Sequence, residues 1–134
     1  MTQDPNKKRS KPARVTGPKH LIAAGLYSFA GARRLWCETA FRIELCAAVI
    51  VLCGLAFLGA ATKSIMTFVV LMLALIAVEA MNTAIECIVD YVSPDWSEFA
   101  RNAKDLGSFA VLCMVLANSF YVTFVGLTLI SSSP

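Results

Sequence analysis

The sequence predicts an all-α integral membrane protein with one amphipathic surface helix and three transmembrane helices. Hydrophobic residues make up 57% of the 134 residues and charged residues only 16%, against roughly 45–50% and 25% in soluble domains. The mean hydropathy is +0.67. A soluble chain of this size has a large surface to cover with polar groups, so the bilayer is the expected solvent. The length also excludes most multidomain enzymes.

Basic residues are concentrated before the apolar part of the chain. Eight of the twelve Lys and Arg residues lie in the first 34 positions, beside one acid, Asp4. Positive charge next to membrane spans predicts a cytoplasmic segment held near anionic head groups. Nucleic-acid binding is not expected, because little basic or aromatic surface follows. Residues 1–18 are rich in Pro and polar residues, so we expect a disordered tail, followed by one membrane-embedded domain at residues 19–134.

The surface helix and the first span follow the tail. In residues 19–36, Ile22, Leu26 and Phe29 recur at helical spacing among polar residues, which is typical of a helix lying in the membrane interface. Residues 45–61 form an unbroken apolar run of 17 residues, just long enough to cross the hydrocarbon core. The first span is therefore predicted at about residues 42–61.

Two further spans complete the predicted bundle. The next apolar run stops at Glu79 and is too short to cross, so its helix must continue toward Val92 and carry acids to membrane depth. This second span covers about residues 64–92 and ends before Pro94, since proline disfavours helical geometry in the preceding residue. A polar loop is predicted at Asp95–Asp105, and a third span at about residues 104–130.

The predicted topology brings distant polar residues to one membrane face. A cytoplasmic N-terminus places the C-terminus of a three-span protein on the opposite side of the membrane. Helical geometry puts Glu79, Glu86 and Asp90 on one polar stripe, with Asn82 beside it. Carboxylates near a water boundary suit Mg²⁺, which commonly uses one or two of them together with substrate phosphates. The common soluble nucleotide-binding motifs are absent from the sequence, so the pattern alone does not identify the reaction.

Specific motifs extend this interpretation. The segment EAMNTAIECIVDYV, residues 79–92, followed by AKDLGS at 103–108, resembles the signature of the prokaryotic diacylglycerol kinases. ETAFRIE at 38–44 is similar to another block of that family. So are AAG at 23–25 and YS at 27–28 in the surface helix. The resemblance covers about residues 19–130. It implies a homotrimer that transfers the γ-phosphoryl group of ATP to diacylglycerol, with Mg²⁺ as cofactor and sites built from neighbouring subunits.

The resemblance also implies roles for individual residues. Glu79 looks like the general base and Asn82 supports it, while Glu38 and Glu86 look like the Mg²⁺ ligands. The positions similar to ATP-contacting residues are Tyr27, Glu38, Glu86, Asp95, Trp96, Ser97, Lys104 and Asp105. Those near the lipid substrate are Arg33, Trp36, Arg42, Glu44, Glu79 and Ser108.

Two other functions are considered. An undecaprenol kinase of the same family would use the same residues with a polyprenol acceptor, although AKDLGS is more similar to the diacylglycerol branch. A non-enzymatic channel or proton-relay subunit would use Glu79, Asn82 and Glu86 to line a pathway. That alternative predicts acids distributed through the membrane depth, whereas the topology gathers them at one face.

Overall fold

The computed structural model describes residues 17–131, which form four α-helices. These are α1 (Pro18–Leu35), α2 (Thr39–Phe57), α3 (Thr62–Val92) and α4 (Glu98–Ser131). The last three are each long and apolar enough to cross a membrane. The predicted all-α membrane fold with three apolar spans is therefore confirmed. Residues 1–16 of the predicted tail lie outside the described residues.

The chain divides into two compact units, residues 1–32 and 33–134. In the first unit, α1 exposes Ile22, Leu26 and Phe29, the apolar positions from which the surface helix is predicted. The second unit begins with the last turn of α1 and contains α2, α3 and α4. All the tertiary contacts described below lie within this second unit.

The helix α2 begins earlier and ends earlier than the predicted span. It starts at Thr39 because its first turn, which is polar, is also helical. A prediction from the apolar run alone omits that turn. It ends in a Schellman motif, in which the amide of Ala60 donates to the Leu55 carbonyl at 2.9 Å and that of Gly59 donates to the Ala56 carbonyl at 3.1 Å. Gly59 has a φ of 71°, which a glycine adopts without steric cost.

The helix α4 begins at Glu98, so the predicted polar loop at Asp95–Asp105 is wrong from residue 98 onward. The stretch is polar, but Glu, Ala, Arg and Lys are good helix formers. The Ser97 hydroxyl also accepts a hydrogen bond from the Ala100 amide at 3.1 Å and so caps the new N-terminus. Only residues 93–97 separate α3 from α4.

The three spans pack along one another, and α3 contacts α4 most extensively. We call the end that carries residues 58–61 the connection end and the end that carries residues 93–97 the loop end. Near the connection end, Leu55, Phe68 and Val125 form a buried cluster, and the Tyr121 hydroxyl donates to the Ser64 carbonyl at 2.9 Å. These contacts join α4 to both α2 and the start of α3.

Helix length separates α2 from its neighbours. With a rise of 1.5 Å per residue, its 19 residues span about 28 Å, close to the hydrocarbon thickness of about 30 Å. The 31 residues of α3 and 34 of α4 span about 46 and about 51 Å. Because α2 and α3 are joined by a short connection, the additional length of α3 and α4 extends toward the loop end.

Candidate active site

Four carboxylates come together toward the loop end. Glu79 interacts electrostatically with Glu38 and Glu86 and with Glu44, and we call these four residues the acidic cluster. Glu79 is only 5% exposed. Among residues 17–131, no basic side chain forms an ion pair with it. The structure thus brings together four acids that the sequence assigns to the site, with the predicted general base at their centre.

Helix register explains why Glu44 and Glu79 lie at similar levels. Glu44 precedes the end of α2 by 13 residues and Glu79 follows the start of α3 by 17, which gives about 20 and about 26 Å along antiparallel neighbours. Measured from the connection end, both carboxylates therefore lie within the hydrocarbon core, toward its boundary at the loop end. Glu86 lies two helical turns further along α3 on the same side.

Asn82 holds one member of the acidic cluster in place. Its Nδ2 donates to Oε1 of Glu86 at 3.0 Å, one helical turn away. Its Oδ1 is buried without a hydrogen-bond partner and faces Gly107 of α4, where an added Cβ would overlap it and lie 3.2 Å from Cγ. Close approach of α4 at Gly107 therefore confines the Asn82 amide, and the amide orients Glu86.

The donor set of this region is compatible with Mg²⁺. Within residues 17–131, no group of three or more His, Cys, Asp or Glu residues has the geometry to hold a metal ion, so the chain offers no complete protein cage. Mg²⁺ rarely requires one, because it binds one or two carboxylates and takes its other oxygens from water and phosphates. Glu38 and Glu86 are hard oxygen donors that both interact electrostatically with Glu79, and two carboxylates are enough for that mode of binding.

The predicted nucleotide residues on α4 already have partners. Lys104 Nζ lies 2.5 Å from Oδ1 of Asp90 on α3, and Glu86 also acts on it electrostatically. Asp105 lies 3.6 Å from Arg101, one turn back on the same helix. Lys104 is thus a cation beside the acidic cluster, held across the two helices by an acid of the predicted polar stripe.

The loop of residues 93–97 is ordered by its own hydroxyls. The Ser93 hydroxyl lies 2.9 Å from that of Ser97 and contacts the Asp95 carbonyl at 3.1 Å. Trp96 is 79% exposed, and the Asp95 side chain is exposed as well. Asp95 and Trp96, both predicted to contact the nucleotide, thus extend from a turn that is fixed by hydrogen bonds.

The residues predicted near the lipid are more dispersed. Arg42 contacts its neighbour Thr39 at 3.3 Å, Trp36 packs edge-on against Phe41, and Arg33 and Ser108 are exposed. Of this group, only Glu44 and Glu79 belong to the acidic cluster. Tyr27 is exposed on α1 in the first unit, and its role in nucleotide binding stays a prediction.

A largely apolar cavity of about 330 Å³ lies among the three spans. Glu44 contributes to its lining, and Glu44 Oε2 is buried without a hydrogen-bond partner. Asn118, 6% exposed, also lines it and keeps Oδ1 unpartnered, while its Nδ2 donates to the Met114 carbonyl at 2.9 Å. The cavity therefore combines apolar walls with an acid that interacts with Glu79.

Three residues of this region were not assigned to the site from the sequence. Asp90 belongs to the predicted stripe, but its pairing with Lys104 requires the packing of α3 on α4. Gly107 carries no signal beyond its small size. Arg34 forms an ion pair with Glu38, and its signal is present in the sequence, because opposite charges four residues apart commonly interact.

Comparison with known proteins identifies the family. The prokaryotic diacylglycerol kinase family matches residues 26–126. A diacylglycerol kinase of Sinorhizobium is 49% identical over 110 residues, 82% of this chain and 80% of its own length. Those of Escherichia coli K12 and Pseudomonas aeruginosa are 37% and 41% identical, over 76% and 71% of this chain and 84% and 78% of their own lengths. The chain belongs to the prokaryotic diacylglycerol kinase family.

Proposed function

We propose that this chain catalyses ATP-dependent phosphorylation of diacylglycerol to phosphatidate at the cytoplasmic face of the bacterial inner membrane. The observation that carries the proposal is the acidic cluster, in which the buried Glu79 interacts electrostatically with Glu38, Glu44 and Glu86, in a chain of this family. The same end of the bundle carries Lys104. A phosphoryl acceptor in the membrane and a donor in water can therefore meet there.

Glu79 is suited to act as the general base. It is buried and has no basic partner among residues 17–131, so its carboxylate is available to accept a hydrogen bond from a substrate hydroxyl. A positioned carboxylate that takes the hydroxyl proton typically contributes 10²–10⁴-fold to a rate. The proton moves to Glu79 as the hydroxyl oxygen attacks the γ-phosphorus, and ADP leaves.

The remaining polar residues position the nucleotide. Glu38 and Glu86 would hold Mg²⁺, which when bound would supply positive charge to neutralise the phosphates. Asn82 fixes Glu86 by a hydrogen bond of 3.0 Å, and Lys104 supplies a cation that can bind a phosphate. Asp95, Trp96, Ser97, Asp105 and Tyr27 complete the proposed ATP contacts.

The lipid reaches Glu79 laterally from the bilayer. Its hydroxyl lies near the boundary between head groups and hydrocarbon, and helix register puts Glu79 and Glu44 inside the hydrocarbon core toward that boundary. The neighbouring cavity of about 330 Å³ provides an apolar environment beside Glu44. We propose Arg33, Trp36, Arg42 and Ser108 as further lipid contacts.

Assembly and orientation are part of the same proposal. Only 11% to 17% of the positions in the apolar window of each span are buried inside the chain, which leaves surface for lipids and for the other subunits of a homotrimer. The N-terminus is proposed to be cytoplasmic and the C-terminus periplasmic, as the positive-inside rule favours. Mass measurement of the detergent-solubilised protein and labelling of each terminus in oriented vesicles test these two points.

The alternatives are less well supported. The three relatives described above are named diacylglycerol kinases, which does not favour a polyprenol acceptor. A channel requires polar groups along the membrane depth, and the four carboxylates of the acidic cluster lie toward one end.

The deciding experiment measures transfer of labelled γ-phosphate from ATP to diacylglycerol and, separately, to undecaprenol in mixed micelles with Mg²⁺. Glu79→Gln should lower turnover of diacylglycerol by at least about 100-fold, while the exposed Glu98→Gln serves as a matched control that retains activity. Turnover of the polyprenol alone would indicate the undecaprenol kinase. Inactivity toward both lipids in a folded oligomer would contradict the lipid-kinase proposal.

A further inference from the structure

We propose that Arg34 is a counter-ion of Glu38 that competes with the divalent cation for this carboxylate, and thereby sets the concentration of Mg²⁺ that the enzyme requires. The inference rests on the proposed role of Glu38 as a Mg²⁺ ligand. It adds a residue to the site that the sequence pattern does not assign. It is carried by three features: the contacts of Arg34, the backbone around Glu38 and the charge balance of the acidic cluster.

Arg34 connects the end of α1 with two other parts of the second unit. Its Nη1 donates to Oε1 of Glu38, and its Nη2 lies 3.9 Å from Sγ of Cys87. Cys87 lies on α3, so the guanidinium reaches from Glu38 across to that helix. An arginine side chain stays protonated throughout the physiological pH range, so Arg34 is a cation here.

The backbone leaves the Glu38 carboxylate available for this pair. Glu38 occupies the N-cap position of α2 with extended geometry, φ −77° and ψ 129°, but its side chain makes no capping hydrogen bond. Leu35 and Phe41 on either side are 4% and 8% exposed, so they anchor the turn. The buried Leu35 and Phe41 thus hold the two charged side chains next to each other. The Glu38 carboxylate makes no capping hydrogen bond that would compete with this pair.

The charge balance makes Arg34 distinctive. In the described part of the chain, the ion pairs that involve the proposed site join Arg34 to Glu38, Lys104 to Asp90 and Arg101 to Asp105. Arg34 is therefore the cation paired with a member of the acidic cluster. Arg34 already occupies Oε1 of Glu38, and a guanidinium and a divalent cation repel each other, so binding of one at this carboxylate weakens binding of the other.

The pair is exposed enough to be exchanged. The Arg34 side chain is 52% exposed and that of Glu38 33%, and ion pairs at such sites are weak and screened by salt. The guanidinium can therefore release Glu38 to a metal ion without a buried charge being left unpaired.

The test measures binding of Mn²⁺ as the probe to the full-length protein in detergent, without nucleotide, by electron paramagnetic resonance of the free ion. Arg34→Gln should bind Mn²⁺ about two- to fivefold more tightly than the unaltered protein, as expected for removal of a partly exposed ion pair. Arg34→Lys should lie between the two. The control Lys63→Gln removes the same charge at the connection end and should leave Mn²⁺ affinity unchanged.

The kinetic readout should follow the binding. Arg34→Gln should reach half-maximal activity at about two- to fivefold lower free Mg²⁺, and the difference should shrink as salt is added. In the Glu38→Gln background, Arg34→Gln should have little further effect on Mn²⁺ affinity, because the two residues then no longer share a carboxylate.

Two results would overturn the inference, and they are distinguishable. If Glu38→Gln weakens Mn²⁺ binding but Arg34→Gln leaves it unchanged or weakens it, Glu38 is a ligand and Arg34 is not its competitor. If Glu38→Gln leaves Mn²⁺ binding intact, the proposed metal role of Glu38 fails, and the competition fails with it.

Discussion

Lys104 of α4 and Asp90 of α3 form an ion pair across the two helices, with 2.5 Å between Nζ and Oδ1. The pair lies in the parts of α3 and α4 that extend toward the loop end, where Glu86 also acts on Lys104. Asp90 therefore orients the cation that we propose to bind a phosphate of ATP. It joins the two helices at the level where the nucleotide must enter.

Breaking this pair should affect nucleotide use more than stability. Asp90→Asn should cost less than about 1 kcal/mol of unfolding free energy, because both side chains are partly exposed, but it should raise the KM for ATP. Lys104→Met should lower kcat/KM by about tenfold or more, as loss of a hydrogen bond to a charged group predicts. The exchange Asp90→Lys with Lys104→Asp should recover stability without activity. Full activity of the exchanged variant would assign the pair a structural role only.

Ser97 should act both as the N-cap of α4 and as a nucleotide contact. Ser97→Ala removes the acceptor for the Ala100 amide and should destabilise the protein by about 0.5–2 kcal/mol in thermal unfolding. Ser97→Asp should restore the cap, since Asp is an equally good N-cap residue, but its negative charge should raise the KM for ATP. An unchanged KM in Ser97→Asp would show that this hydroxyl does not face the nucleotide.

Gly107→Ala should disturb the site through Asn82. The new methyl group would overlap Asn82 Oδ1, and overpacking of this kind typically costs about 1–3 kcal/mol. Activity should fall as well, because a displaced Asn82 no longer orients Glu86. In Gly54→Ala, where a Cβ meets nothing within 4 Å, stability should be kept or slightly increased.

The double variant separates the two effects of Gly107→Ala. Asn82→Ala combined with Gly107→Ala should regain stability but not activity, since the overlap is gone while Glu86 stays unsupported. Equal activity of Gly107→Ala and the unaltered protein would contradict the proposed link from Gly107 through Asn82 to Glu86.

Tyr121→Phe should change stability alone. It removes the hydrogen bond from the Tyr121 hydroxyl to the Ser64 carbonyl near the connection end, and such bonds average about 0.6 kcal/mol in membrane proteins. Kinase activity should stay at its original level, because the acidic cluster lies toward the opposite end. Tyr91→Phe, at an 88% exposed position, is the control without a stability change. A large loss of activity in Tyr121→Phe would reveal coupling between the two ends.

The spans were predictable because apolar runs dominate them. Consecutive spans run in opposite directions, which brings Glu44 of α2 and Glu79 of α3 to similar levels. The convergence of these two acids therefore follows from topology and helical rise. The family motif then supplied roles for Glu38, Asn82 and Glu86 that periodicity does not contain.

Other features depend on packing or on local capping. The polarity of the residues that follow Ser97 predicts a loop, but these residues are good helix formers and α4 begins at Glu98. The Lys104–Asp90 pair and the contact of Asn82 with Gly107 arise only when α4 lies against α3. The pairing of Arg34 with Glu38 has a signal in the sequence, opposite charges four residues apart, but the apolar runs and the acidic stripe do not include Arg34.

The unequal lengths of the helices make bilayer thickness a variable of the reaction. The 19 residues of α2 match an ordinary hydrocarbon core, whereas the 31 of α3 and 34 of α4 exceed it. A thicker membrane covers more of the α3–α4 extension and moves the hydrocarbon boundary past Glu79 toward Glu86 and Lys104. A thinner one leaves Glu79 in the head-group water. We expect hydrophobic mismatch to change which of these charges the lipid surrounds, which would make the phosphoryl transfer sensitive to the thickness of the membrane whose composition it alters.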